Sequence, residues 1–432
     1  MKKFSSKKII GYDIHRLAKK LWPLNRSITG EGVRKTLSII SKEIPKLKIH
    51  SVPSNTKAFD WIVPKEWIVK KAYIVTPEGK KICDFSKNNL HLISYSIPFK
   101  GSISFNELKK HLHTLPKQPK AIPYVTSYYK KRWGFCLTHD EFKTLKKGTY
   151  KVIIDSHLFN GELNYGELLI KGRSNKEIFL STYICHPSMA NNELSGPSVT
   201  TFLSKWLITK SETNYSYRII FIPETIGSIV YLSRNLKKMK KNIIAGFNIS
   251  CVGDDRAYSY IPSRKGNTIS DLVSKHILKW IDKNFKKYSW LDRGSDERQY
   301  CAPGIDLPVA SITRTKYGKY PEYHTSLDNL VNVVTPKGLN GGYSALKKAI
   351  EAVENNKKYK TNIMCEPQMS KRGLYPTLSI KKSDNKIKLM MDFISLCDGK
   401  STLLEIAEIL NVPIWDLYDL TKLLKKQKII SE

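Results

Sequence analysis

With 432 residues the chain is too long for one ordinary domain and can bury a large core, so two or three domains are expected. Hydrophobic residues at 41% and aromatics at 10% exclude a disordered chain, and no run approaches the roughly eighteen apolar residues of a membrane span. The net charge of +35 leaves nucleic acid, a membrane surface or an anionic polymer open as partners, beside a merely solvated lysine-rich surface.

Residues 1–50 read as two amphipathic helices split by PLNRSITGEG. The start has basic residues but no apolar stretch before a small-residue cleavage site, so it reads as a first helix and not as a signal peptide. Residues 51–150 change character, with many Pro, Tyr, Trp and Thr in short alternating segments such as KAYIVTP and HLISYSIPF. They read as an inserted small β-rich module with one helix, SFNELKKHLHTL. Residues 101–150 also carry ten Lys or Arg against three Asp or Glu.

From about 151 to 362 the pattern is strand, loop, helix, repeated: EIFLSTYIC, GPSVTTFLSKWLITK, YRIIFIPE, GSIVYLSRNLKKMKK. Such alternation predicts an α/β fold with a mostly parallel sheet flanked by helices. Residues 1–50 and 151–362 would then form one domain, with the β-rich module set into it. CEPQMSKRGLYPT, with two prolines and a glycine, breaks the pattern. The tail, 366–432, reads as a winged helix-turn-helix. Seven widely spaced cysteines without a CxxC pair argue against a disulfide framework or a zinc ribbon, and point to a reducing cytoplasm.

Four predicted strands run straight into polar residues able to do chemistry, and open α/β sheets place ligands at the carboxyl ends of strands. His186, Glu193, Glu224, Asp254 or Asp255, and His324 therefore make a plausible single site, with the residue types of a zinc hydrolase. Each has a structural alternative. A strand-end His is often only hydrogen-bonded, Glu224 suits a helix N-terminus, and Asp254 and Asp255 suit a turn. Asp328 could orient His324 or cap a helix, and Asp296 lies with Glu297 on a polar loop. Cys185 and His186 are adjacent, so alternation along a strand would turn them to opposite faces and forbid a dyad.

The motifs His186, NNELSG, ETIGS, SCVG, SD at 295–296 and YHTSLD at 323–328 resemble, in order and spacing, those of the M28-type zinc aminopeptidases. The resemblance covers about residues 170–350. The whole chain more closely resembles a bacterial family of aminopeptidase-like proteins with an inserted β-rich module and a C-terminal winged helix, often associated with polysaccharide biosynthesis. It implies an M28-like fold, with Glu224 as general base. Four positions depart from the M28 pattern. Asn192 stands for a metal-bridging Asp, Thr225 for a metal-binding Glu, Ser250 for an Asp ligand and Ser188 for the Asp supporting the first His. One zinc held by His186, Glu193 and His324 is the expectation, with two ions left open.

Three functions compete. The first is a zinc hydrolase cleaving an amide in a peptide or an amino-acid/sugar conjugate, with Arg298 or Arg314 holding a substrate carboxylate. The second is a catalytically degenerate M28 fold that only binds. The third, a DNA-binding regulator acting through the tail, is weakened by nine Lys against eight Asp or Glu in residues 381–432, so that domain reads as a protein-docking module. Homo-oligomer formation is left open.

Overall fold

The computed structural model describes residues 9–374 and 381–432. At its centre lies an eight-stranded sheet in the order Lys48–Pro53, Glu162–Ile170, Tyr215–Ile222, Ser174–Tyr183, Ile243–Asn248, Val309–Thr313, Ser259–Ile261, Lys286–Lys287. The four middle strands, 215–222, 174–183, 243–248 and 309–313, are mutually parallel, and antiparallel strands flank them. Strands buried on both faces need apolar residues at every position. Along 174–183, Ile178 and Leu180 enter one core while Phe179 enters the other.

Helices Gly11–Leu21, Glu31–Glu43, Ser195–Ile208, Ile269–Ile281 and Pro336–Asn355 cover the first face. Helix Ile226–Asn242 and the inserted module cover the second. The first helix lies so close on the last that a Cβ at Gly11 would sit 1.8 Å from the Pro336 carbonyl oxygen. Backbone cannot yield as a side chain can, so Gly11→Ala should cost about 1–3 kcal/mol of stability, read by urea denaturation. An unchanged midpoint would contradict this packing.

The inserted module holds a four-stranded sheet, ordered Lys81–Ile82, Glu66–Val75, Thr149–Phe159, Phe99–Ser104. The strand 149–159 belongs to this sheet, so the module runs past residue 150 to the turn at 160–161. The antiparallel partner that decides its membership, 66–75, is distant in sequence. The winged helix forms a three-stranded sheet, Asp398–Thr402, Lys358–Thr361, Ile430–Ser431, with helices Lys381–Ser395, Leu403–Ile409 and Tyr418–Lys426. Its first strand therefore starts before the predicted linker. Thr402 and Glu405 form a capping box on the 403–409 helix.

The tail packs into the main core rather than hanging from it: Phe393, Leu403, Ile406 and Ile414 join the same cluster as Ile277 and Leu346. His276 on the 269–281 helix is its latch, with Nδ1 2.5 Å from Glu408 and Nε2 accepting the Ile414 amide at 2.9 Å. An accepting Nε2 requires the neutral ring, and burial pushes the His276 pKa below its ordinary 6.5. The proton then binds the unfolded state more readily, so this contribution is complete above pH 6.5 and fades as pH falls through that value. Melting at pH 7.5 and pH 5.5 should show His276→Gln losing less stability on acidification than wild type; an equal loss would contradict it. Among the described residues no helix is long and apolar enough to cross a membrane.

Candidate active site

The strand 174–183 stops before Cys185 and His186, which lie in the loop beyond its carboxyl end. His186 is buried there between two carboxylates. Its Nδ1 is 2.9 Å from Glu193 Oε2, and its Nε2 is 3.6 Å from Glu224 Oε2. Glu193 sits in a π-helical turn, Ala190–Leu194, that leads into the 195–208 helix. Its other oxygen is 3.4 Å from Nε of Arg26, and both side chains are fully buried. Arg26 also donates to the His186 carbonyl at 3.0 Å and the Leu21 carbonyl at 2.7 Å, so one guanidinium ties the first helix to the site. Burial alone would lower the His186 pKa, but the sulfur of Cys185, the Tyr124 ring and the Glu193 carboxylate outweigh it and raise it well above the usual imidazole value. Removing Arg26 would break a fully buried ion pair and leave Glu193 with His186 alone. Arg26→Met should therefore cost about 3–5 kcal/mol in chemical denaturation, and a loss under about 1 kcal/mol would contradict the pairing.

Glu224 follows the strand 215–222, and the next residue, Thr225, takes φ 63°, a left-handed conformation rare for a β-branched residue. The Thr225 amide and the Ser228 hydroxyl both donate to Asp296 Oδ1, at 2.8 and 2.9 Å. Asp296 is thereby pinned beneath Glu224. Burial, reinforced by the charge of Glu224, pushes the Asp296 pKa up to about 7, and burial raises Glu224 as well.

His324 enters from the other side on a loop with φ 55°. Its ring centre is 5.7 Å from that of His186 and stacks on Tyr323 at 3.9 Å. Burial, with His186 adding to it, holds its pKa down at about 3, so the ring is neutral and keeps a free lone pair.

Cys185, His186, Glu224, Thr225 and His324 line a cavity of about 310 Å³, whose opposite wall comes from the inserted module: Trp61, Tyr124, Thr126, Tyr128 and Tyr129. The wall is strapped to the His324 loop. The Tyr124 amide donates to the His324 carbonyl at 2.9 Å, and the Ser326 amide donates to the Ile122 carbonyl at 2.9 Å. The hydroxyls of Tyr124 and Tyr128 bond each other at 2.8 Å. Trp133, by contrast, is buried against His111 and Phe99 in the module's own core.

The remaining sequence candidates divide cleanly. Arg298 lines the cavity, exposed, and donates to Thr225 Oγ1 at 2.7 Å. Asn192 is buried, its side-chain oxygen accepting from Tyr183 at 3.0 Å. Asp328 accepts the Asn191 and Asn192 amides at 2.7 and 3.0 Å and the Tyr320 hydroxyl at 2.9 Å, so it braces the π-turn. Asp254 is taken up by Asn191 and Thr315. Asp255 accepts from Thr335 at the surface, and Arg314 lies flat on Tyr258 at 3.8 Å. None of these last three lines the cavity.

One expectation is corrected: Cys185 Sγ lies 3.6 Å from His186 Nδ1 and accepts the Glu224 amide at 3.2 Å. The strand has already ended, so its alternation no longer separates the two side chains. Nδ1 is shared with Glu193, however, and Glu193 is the nearer partner. Arg26 and Trp61 were not expected from sequence, since an Arg in a turn and a Trp in a β-rich module carry no motif.

Side chains able to hold a metal ion are present. Cys185, His186 and Glu193 offer donor atoms within 4.8 Å of one another, and His324 faces the same cavity. Several buried polar atoms around these loops also lack hydrogen-bond partners, among them Glu193 Oε1, Asn192 Nδ2, Ser250 Oγ and Asp296 Oδ2. Buried polar atoms are normally satisfied by protein, water or an ion.

The doubly covered sheet has the α/β fold of solved M28 peptidases. A zinc aminopeptidase from Bacillus subtilis superposes with a TM-score of 0.59 at 13% identity, covering 80% of this chain and 94% of that one. A peptidase M28 precursor from Shewanella amazonensis gives 0.56 at 12%, covering 83% and 95%. Residues 15–356 match the family described as a domain of unknown function, DUF4910, and residues 357–432 match a winged helix-turn-helix. The chain belongs to this aminopeptidase-like family. A Clostridium acetobutylicum protein, named as a candidate polysaccharide biosynthesis protein with an aminopeptidase-like domain, is 46% identical over 400 residues, 92% of this chain and 91% of the relative. A crystal structure of a candidate peptidase from Clostridium acetobutylicum superposes with a TM-score of 0.91 at 43% identity, covering 98% of this chain and 96% of that one.

Proposed function

We propose that the protein is a zinc-dependent amide hydrolase acting on a peptide or an amino-acid/sugar conjugate. The observation that carries this reading is the convergence of His186, His324 and Glu224 on one cavity at the strand ends. The two imidazoles are spaced for one shared ion. Imidazoles sharing a tetrahedral zinc have ring centres roughly 5–6 Å apart, against 5.7 Å here. Glu193 on Nδ1 leaves Nε2 of His186 as the nitrogen for the metal, the arrangement common for metal-bound histidines. A second ion finds no carboxylate at Asn192, Thr225 or Ser250, and Arg26 sets a fixed positive charge beside Glu193.

His186 and His324 would hold the zinc, and Glu193, the third ligand expected from sequence, would act through His186 by fixing its ring. Bound zinc supplies Lewis acidity toward a water and a carbonyl. Glu224 stands 3.6 Å from His186 Nε2, its pKa raised above the usual carboxylate value by burial, placed to take a proton and return it to the leaving amine. Asp296, hydrogen-bonded to the Thr225 amide, holds the turn that aims Glu224. The aromatic wall excludes water from one side of the cavity. The test is release of amine from aminoacyl amides and from N-acyl amino acids by the zinc-loaded protein; turnover unchanged by a chelator would reject the metal.

A second reading, a binding protein without turnover, is favoured by Glu193 facing away from the Nε2 edge of His186. It requires Glu224→Gln to leave biological activity intact. The winged helix supports protein docking over DNA binding, because its basic residues are partly neutralised: Lys422 pairs with Asp419, and Lys425 with Glu432. Cytoplasmic location and a link to polysaccharide synthesis belong to this proposal, the latter resting on the relative's name.

A further inference from the structure

We infer that the pocket selects a small substrate bearing a free carboxylate on a flat ring-containing residue, not one bearing a free ammonium. This rests on the hydrolase reading for its consequence but on separate observations for its support. An ammonium is held most strongly by a carboxylate that has no other partner. Among the cavity-lining residues Glu224 is the sole carboxylate, and it faces His186 at 3.6 Å. Asp296 below it is fully buried, with one oxygen committed to the Thr225 amide and Ser228. The cavity's cation is Arg298, close enough that its charge also acts on Glu224 and Asp296. Arg298 lines the cavity, is exposed, and donates from Nη2 to Thr225 Oγ1. A guanidinium so placed can grip a carboxylate through two parallel N–H donors. Arg314 cannot compete, being buried flat against Tyr258.

The rest of the wall sets the shape. Trp61 and Tyr129 meet edge-on at 5.7 Å, and Tyr124 and Tyr128 continue the surface inward. These faces suit the flat side of an aromatic side chain or a pyranose. A volume of about 310 Å³ is at the small end of ligand pockets, so one residue enters rather than an extended peptide. An aromatic N-acyl amino acid and a uronic acid carrying an N-acyl group share this chemistry.

Equilibrium titration of the full-length protein, with and without zinc, followed by tryptophan fluorescence and calorimetry, distinguishes the sources. The probes are N-acetyl-L-tyrosine and D-glucuronate, their neutral counterparts N-acetyl-L-tyrosinamide and D-glucuronamide, and the ammonium L-tyrosinamide. At least one carboxylate should bind about tenfold more tightly than its amide, and which one does identifies the ring. Arg298→Gln should abolish that preference and Arg298→Lys should keep part of it, while both retain the wild-type melting temperature. Equal binding of acid and amide, tightest binding of L-tyrosinamide, a preference that survives Arg298→Gln, or no saturable binding of any probe would overturn the inference. Because binding is read without turnover, loss of the hydrolase reading alone would leave these outcomes unchanged.

Discussion

Glu224→Gln is expected to lower amide hydrolysis by about 10²–10⁴-fold, the usual contribution of a positioned general base, while zinc content stays at the wild-type level. The isosteric amide keeps the turn at Thr225 and the neighbouring volume but cannot accept a proton. Glu224 is held by local geometry, through the Thr225 conformation and its amide bond to Asp296, so the fold should survive the change. Loss of zinc along with activity would instead make Glu224 a ligand. Retained activity would remove it from the chemistry and favour the binding-only reading.

The second large effect is on metal affinity, and it has an order. His186→Ala and His324→Ala each delete an imidazole proposed to touch the ion, so each should weaken zinc binding by more than the roughly 10–100-fold typical of groups acting through a ligand. Glu193→Gln should fall within that smaller range, because it perturbs only the ring orientation of His186 through the 2.9 Å contact at Nδ1. Competition with a chromophoric chelator measures all three. If Glu193→Gln proved as damaging as the histidine substitutions, Glu193 would be a direct ligand, as its spacing in the sequence suggested.

Much of this organisation was legible before the structure. The strand-loop-helix alternation after residue 151 carried the parallel sheet, because strands buried on both faces must be continuously apolar. Strand ends then located His186 and Glu224, and YHTSLD located His324. What could not be read was orientation. Glu193 and Asp328 are carboxylates at suggestive spacings, yet one turns to Nδ1 and the other braces two backbone amides. Both choices depend on a π-helical turn that has no clear sequence mark. Asp254 and Arg314 likewise found partners in distant segments, Thr315 and Tyr258. The module's limits were blurred for the same reason, since pairing of 149–159 with 66–75 is long-range. The role of Arg26 emerges only when the first helix packs against the π-turn.

Zinc per chain, measured by inductively coupled plasma mass spectrometry on full-length protein purified without chelator, tests the central claim most directly. The account predicts one zinc per chain in the wild type and none in a His186→Ala, His324→Ala double variant that keeps the wild-type circular dichroism spectrum. A wild type free of metal even after dialysis against zinc, or a double variant that still carries one equivalent, would contradict it.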